Sequence, residues 1–308
     1  MSLTMRDAFG GKLLELGATH PELVVLDADV SSSTKSVMFG KKYPDRFFNC
    51  GVAEGNMVGV AAGLATCGYH PVVNAFAIFL ALKGTDQLRN DVCYNKLPVV
   101  IAGAYGGLSD SFDGASHQSI IDIAIMRALP NMQVIVPADA TQAEQSLEYA
   151  LTQDGPVYIR LNRNSMPDLP VETNFSKREV ILCHEGSDIT IVANGITASF
   201  ATEAAKLLSR EGIMAEVLSV PFVKPLDVEG LVKSVKKSGR ILCVEEHTLM
   251  GGFSSAVCEA FMSRGVHCMY DAIGIDDTFT ETGEYISLLA EYGISTKNIV
   301  SHAKALCK

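Results

Sequence analysis

Apolar positions along the chain fall into two alternating rhythms. Short continuous runs rich in Val and Ile, "ELVVLDAD", "HPVVNAF", "LPVVIAGAY", "MQVIVPAD" and "PVYIRL", read as buried strands. Between them the spacing predicts helices over Thr4 to Gly17, 54–67, 79–92, 118–128 and 140–151. Strands that are apolar throughout are covered on both faces, and strands separated by helices form parallel sheets. Residues 166–187 break this rhythm; they are polar and Pro-bearing and read as a linker. The alternation then restarts with "ITIVANG", helix 198–212, "MAEVLSV", helix 227–237, "RILCVEEH", helix 252–264 and "VHCMYDAIG". The expectation is an α/β protein of two domains, 1–165 and 188–308, each a mostly parallel sheet flanked by helices.

Length agrees with this: 308 residues suit two ordinary domains, and 48% hydrophobic residues supply two cores. The net charge of -10 argues against nucleic acid or an anionic membrane as partner, because there is no basic surplus to neutralise phosphates. Small phosphorylated molecules, which need only a few local cations, stay open. The 8 Cys show neither a CxxC pair nor Cys/His ligand spacing and read as reduced packing residues of a cytoplasmic protein. The N-terminus carries no signal-peptide core, and no apolar run reaches the roughly 18 residues of a membrane span. The glycine-rich dinucleotide fingerprint, the P-loop, H-E-x-x-H and G-x-S-x-G are all missing, which disfavours nucleotide-dependent oxidoreductases and autonomous hydrolases.

The chemistry concentrates elsewhere. In "FNCGVAEGNMVGVAAGL" one carboxylate, Glu54, stands among small and apolar residues. Burial raises a carboxyl's pKa and suits it to proton transfer; a plain helix-start carboxylate is the alternative reading. Four stretches then belong together: "GVAEGNM", "NAFAIFL", "DGASHQSIIDIAIMRALPNMQVIVPAD" and "YIRLNRNSMP". Their order and spacing resemble the pyrimidine-binding domain of transketolase, a thiamine diphosphate enzyme. "VEEHTLMGGFSSAV" and "FTETGEYISLLAEYGI" look like that family's C-terminal domain.

The resemblance implies specific roles. Glu54 would hydrogen-bond the aminopyrimidine N1′ and supply a proton there, with Gly51 and Gly55 letting the ring approach. Phe76 and Phe79 would wall that ring, Leu82 standing where the family has a third aromatic, and Asp29 would line the same pocket. Asp113 and His117 would contact substrate hydroxyls, His117 also assisting proton transfer. Arg6, Ser33 and Arg163 would hold an anionic substrate terminus, with Arg160 adding charge. The family's fourth partner there is a His; Tyr105 stands in its place, which leaves another anion, such as a sulfonate, open. "EEH" at 245–247 reads as structural or as a dimer contact.

No Gly-Asp-Gly motif occurs in the chain, so the diphosphate and its Mg²⁺ or Ca²⁺ are expected on a partner: an N-terminal transketolase subunit carrying a GDG…N motif, joined in an α2β2-type assembly. The implied activity is transfer of a two-carbon ketol unit between sugar phosphates. Two alternatives stay open at this point: the β subunit of a 2-oxoacid dehydrogenase decarboxylase component, and a non-catalytic α/β regulatory or binding subunit.

Overall fold

A computed structural model describes residues 3–308. The strands are β1 (Leu23–Asp27), β2 (Phe47–Asn49), β3 (His70–Phe76), β4 (Val100–Ala104), β5 (Gln133–Ile135), β6 (Val157–Leu161), β7 (Ile181–His184), β8 (Ile189–Ala193), β9 (Ala215–Ser219), β10 (Phe222–Lys224), β11 (Arg240–Thr248) and β12 (Met269–Ile275). They form a seven-stranded sheet, order β10-β5-β6-β4-β3-β1-β2, and a five-stranded sheet, order β12-β11-β8-β9-β7. Pairing is parallel except at one edge of each sheet, where β10 and β7 run antiparallel. The strands β1, β4, β6, β8 and β9 are buried end to end, as a sheet with helices on both faces requires, with Asp27, Arg160 and Glu216 among their otherwise mostly apolar residues.

Two features depart from the sequence reading. β7 lies inside the span expected to be linker, and that span is packed: Met166, Leu169 and Phe175 are buried, and Leu169 N donates to Asp139 Oδ2 at 2.9 Å. In addition, β10, from the second half of the chain, extends the sheet of the first half, with Phe222 opposite Ile135 and Lys224 opposite Val134. Lys224 Nζ then reaches back to Arg127 O (3.0 Å) and Leu129 O (2.5 Å). The second half of the chain thus contributes an edge strand to the sheet of the first.

The first sheet positions the site. β1 sits between β2 and β3, so the chain's winding direction reverses there, and open α/β sheets bind ligands beyond the strand C-termini at such a reversal. Asp29 follows β1, Tyr105 follows β4 and Arg163 follows β6, while Phe76 ends β3. The helix Glu54–Thr66 begins at the same end; its Met57, Val58, Ala61, Ala62 and Ala65 are buried, and small residues let it lie close over β3.

Candidate active site at the strand C-termini

Glu54 opens its helix, is 4% exposed, and has the Lys83 ammonium 3.5 Å from Oε1. The carboxylate that stood alone in the sequence thus has a cation beside it. Lys83 lies one turn beyond Phe79 on the helix Ala77–Lys83 and also sits 4.0 Å from the centre of the Phe79 ring. Nothing in the sequence marked Lys83; an i, i+4 Phe–Lys pair is common on exposed helix faces. The flanking glycines each have a local structural reason. Gly51 has φ +69°, and a Cβ there would meet nothing within 4 Å, so its conformation calls for glycine. A Cβ on Gly55 would come within 2.9 Å of Gln87 Oε1 and 3.2 Å of Lys83 O, so that residue permits close helix packing.

Four rings form one cluster. Phe76 stacks on Tyr105 (centroids 4.6 Å) and lies 5.9 Å from Phe79. His117 meets both phenylalanines edge-on, at 6.0 and 5.1 Å. Leu82 points outward, 57% exposed. Asp29 has φ +65° and is clamped by Asn49, which accepts from Asp29 N (3.1 Å) and Gly51 N (3.0 Å) and donates to Asp29 Oδ1 (3.0 Å). One side chain therefore ties the loop after β1 to the loop before Glu54. Beneath it buried Asp27 accepts from Val30 N, Thr34 Oγ1 and Ser36 Oγ and fixes the turn that carries Ser33; burial raises its pKa.

At the far end Arg6 Nη1 donates to Tyr105 Oη at 2.6 Å and to the Ser33 carbonyl at 3.2 Å. The guanidiniums of Arg6 and Arg163 lie 5.5 and 5.0 Å from the Tyr105 ring. Arg6, Ser33, Tyr105 and Arg163 are thus brought together. Arg160 is not with them. It is 6% exposed, and its guanidinium is spent on Asp122 Oδ2 (2.9 Å), Ser119 O (2.8 Å) and Glu246 O (2.9 Å), so it holds the two domains together instead of adding charge at the anion end.

The loop 105–118, which carries Tyr105, Asp113 and His117, is anchored by the C-terminal domain. Glu246 Oε1 accepts from Leu108 N at 2.8 Å and from Tyr285 Oη at 3.0 Å, and its Oε2 accepts from Asn162 at 3.3 Å. Gln118 donates to Glu281 O (3.0 Å) and is bonded by Thr280, and Gly283 N donates to Ser111 O (3.1 Å). Glu245 accepts from Phe253 N and Ser254 N, satisfying the start of the helix Phe253–Ser263. The "EEH" triplet is therefore structural, and "TETG" is the seat of the loop.

The fold and the site define one class: a two-domain α/β protein with a buried carboxyl, an aromatic cluster and an arginine-flanked tyrosine gathered at the strand C-termini of one sheet. The chemistry of these residues is compatible with an aminopyrimidine ring: Glu54 is a buried carboxyl, and Phe76 and Phe79 are neighbouring aromatic rings tilted 33° to one another. The family follows from comparison. The model for "Transketolase, pyrimidine binding domain" matches residues 1–168, and that for "Transketolase, C-terminal domain" matches residues 178–299; the chain belongs to the transketolase family, which depends on thiamine diphosphate. It is 40% identical over 298 residues to "Putative transketolase C-terminal section" of Methanocaldococcus jannaschii, covering 96% of this chain and 93% of that protein. It is 36% identical over 302 residues to "6-deoxy-6-sulfo-D-fructose transketolase subunit SqwH" of a Clostridium species, covering 97% and 93%. It is also 36% identical over 308 residues to "1-deoxy-D-xylulose-5-phosphate synthase" of Symbiobacterium thermophilum, covering 99% of this chain and only 47% of that protein. The solved structure "Split gene transketolase, inactive beta4 tetramer" superposes with TM-score 0.90 at 42% identity, covering 100% and 99%.

Proposed function

We infer that this chain is the pyrimidine-binding half of a two-chain transketolase, completed by a subunit that supplies the diphosphate site and its Mg²⁺ or Ca²⁺. The observation that carries this reading is the chain of neighbours at the strand C-termini. Buried Glu54 adjoins Phe79 through Lys83, Phe79 and His117 adjoin Phe76, and Phe76 stacks on Tyr105, which Arg6 and Arg163 flank, with Asp113 near the Asp110 that pairs with Arg163. Near-complete coverage of relatives whose names call them a section or a subunit supports the two-chain arrangement.

Thiamine diphosphate, once bound, supplies the carbanion chemistry that cleaves and forms the carbon–carbon bond. The chain's own groups do the rest. Glu54 holds a proton at the aminopyrimidine N1′, with Phe76 and Phe79 fixing the ring plane. Lys83 must leave the Phe79 face for that stacking. His117, at the pocket wall, is placed to move a proton to or from a substrate oxygen, Asp113 reads a hydroxyl, and the arginines fix the anionic terminus.

A second reading, a synthase that joins the two-carbon unit from a 2-oxoacid to an aldose phosphate, is favoured by the third relative named above. The test is reconstitution. The chain is mixed with a GDG…N-bearing subunit, thiamine diphosphate and Mg²⁺, and given a ketose and an aldose, or pyruvate and an aldose. Ketol transfer without CO₂ release supports the first reading, and CO₂ release from pyruvate supports the second. Glu54→Gln should cut turnover by about 10²-fold or more with an unchanged circular dichroism spectrum; full turnover in that variant would remove Glu54 from the mechanism.

A further inference from the structure

One charged group at the anion end has no place in the reading above. Asp110, in the loop 105–118, has a fully buried side chain. Its Oδ1 accepts from Arg163 Nη1 at 2.8 Å. Its Oδ2 is buried without a hydrogen-bond partner, although a carboxylate oxygen removed from water normally has one. Arg163 is 37% exposed while Asp110 is buried, so the arginine stands between Asp110 and solvent.

The charge at this end can be counted. Arg6 and Arg163 bring two positive charges, and Asp110 removes one. Asp7, beside Arg6, is engaged by Lys35 at 3.3 Å. Tyr105, between the two guanidiniums, adds none. The groups facing Asp110 are Arg163, from the segment after β6, with Asp113 and His117 from its own loop. Burial, and then the Asp113 charge, push the Asp110 carboxyl up to about 6 against the pull of Arg163, so it is ionised at pH 8. The Asp113 charge facing Asp110 lowers the balance further, so the anion end offers a surplus of at most one positive charge. A phosphate monoester carries close to two negative charges above its second pKa of about 6, and in a partly desolvated site the uncompensated charge is costly.

We propose that Asp110 sets the charge selectivity of the anion pocket, so that the substrate terminus it accepts carries a single negative charge, as a sulfonate or carboxylate does. This rests on the ketol-transfer reading and narrows its substrate class. Asp110 acts through Arg163: it takes one of the guanidinium's donors and leaves the others to a monoanion, while Tyr105 Oη, which already accepts from Arg6, keeps its own proton to donate.

Two measurements test this. The first needs no turnover. Thermal unfolding of the chain is followed at pH 8 with methanesulfonate, acetate or inorganic phosphate, in wild type, Asp110→Asn and Asp110→Leu. The monoanions should stabilise the wild type more than phosphate does, and both variants should reverse that order. The second uses the reconstituted enzyme with ketoses ending in a sulfonate, a carboxylate or a phosphate. Wild type should favour a monoanionic donor about 10-fold or more in kcat/KM, and Asp110→Asn should raise kcat/KM for the phosphate donor about 10-fold, through KM. The sulfonate and carboxylate arms separate the two monoanions. An order of preference that is the same in all three proteins, or a wild type that prefers phosphate in both measurements, overturns the proposal. Turnover of hydroxypyruvate, a donor too short to reach the arginines, reports on ketol transfer itself. Its absence would count against the function while the anion order still judges Asp110.

Discussion

Glu246 gives the sharpest test of how the site is held. Its carboxyl is 3% exposed, accepts from Leu108 N and Tyr285 Oη, and lies near Arg160, and burial raises it from the ordinary 4.5 to about 7 despite those partners. A group whose folded pKa is raised keeps its proton longer in the native state than in the unfolded chain. Stability is therefore complete below about pH 4.5 and is lost as pH rises toward about 7. At 1.36 kcal/mol per pH unit that interval corresponds to about 3 kcal/mol. Glu246→Gln keeps a carbonyl for Leu108 N and cannot ionise, so it should remove this loss. Its own cost, from setting an amide against the Asn162 amide, is about 1 kcal/mol and independent of pH.

Urea unfolding of both proteins at pH 5 and pH 8 reads the effect. Raised Asp110, Asp27 and Asp139 contribute a slope of the same sign to both proteins, so only the difference between wild type and variant matters. The variant should be the less stable at pH 5 and should gain up to about 3 kcal/mol relative to wild type by pH 8. A gap unchanged between the two pH values would show that Glu246 does not titrate in this window. A gap that widens at pH 8 would show that Arg160 holds it ionised, and either result refutes the reasoning.

Three further outcomes follow from the geometry. Gly107→Ala should cost about 2–5 kcal/mol, because φ is +65° and a Cβ would lie 2.3 Å from Glu246 Cδ; a shift in the chemical-denaturation midpoint below 0.5 kcal/mol-equivalent, on the order of experimental error, would contradict it. Lys83→Met should alter stability by less than about 1 kcal/mol, since the ion pair is half exposed. It should also tighten thiamine diphosphate binding to the paired chains about 2- to 5-fold by clearing the Phe79 face; calorimetric titration showing weaker binding would instead make Lys83 a ligand. Arg160→Met should destabilise by about 3–5 kcal/mol through unpaired Asp122 and leave the anion preference of the folded protein unchanged. A changed preference would return Arg160 to the substrate pocket.

The fold was legible where long patterns carried it. The Val/Ile runs and helical spacings recovered the buried parallel strands, because a strand covered on both faces leaves a continuous apolar signature. β2 and β10 are three residues long and stand in no longer apolar run, unlike equally short β5, which lies within "MQVIVPAD", and β7 was concealed in a polar stretch because an edge strand need be apolar on one face only. At the site, residue types that chemistry requires could be picked out, and motif order grouped them. Long-range partners could not. Lys83 beside Glu54, Asn49 between two loops and Glu246 under Leu108 are contacts across 29, 20 and 138 residues of sequence, and no local pattern encodes them. Arg160 shows the converse: three residues before Arg163 on an extended chain, it shares neither its environment nor its task.

This anchoring bears on where specificity can vary. The loop 105–118 is fixed from the C-terminal domain by Glu246, by Glu281 O at Gln118 and by the Ser111–Gly283 backbone bond, none of which acts through Tyr105, Asp110 or Asp113. A substitution at 105 or 110 therefore changes the charge and donors seen by a ligand while Leu108 and Gly107 hold the backbone in register. Were the same loop held by its pocket-facing side chains, each change of substrate would also move the groups that read the hydroxyls. Asp110→Asn tests that separation directly: a backbone amide spectrum altered only near Arg163 and the facing Asp113 and His117 is expected, and changes spreading to Leu108 and Gln118 would show that pocket and anchor are one unit.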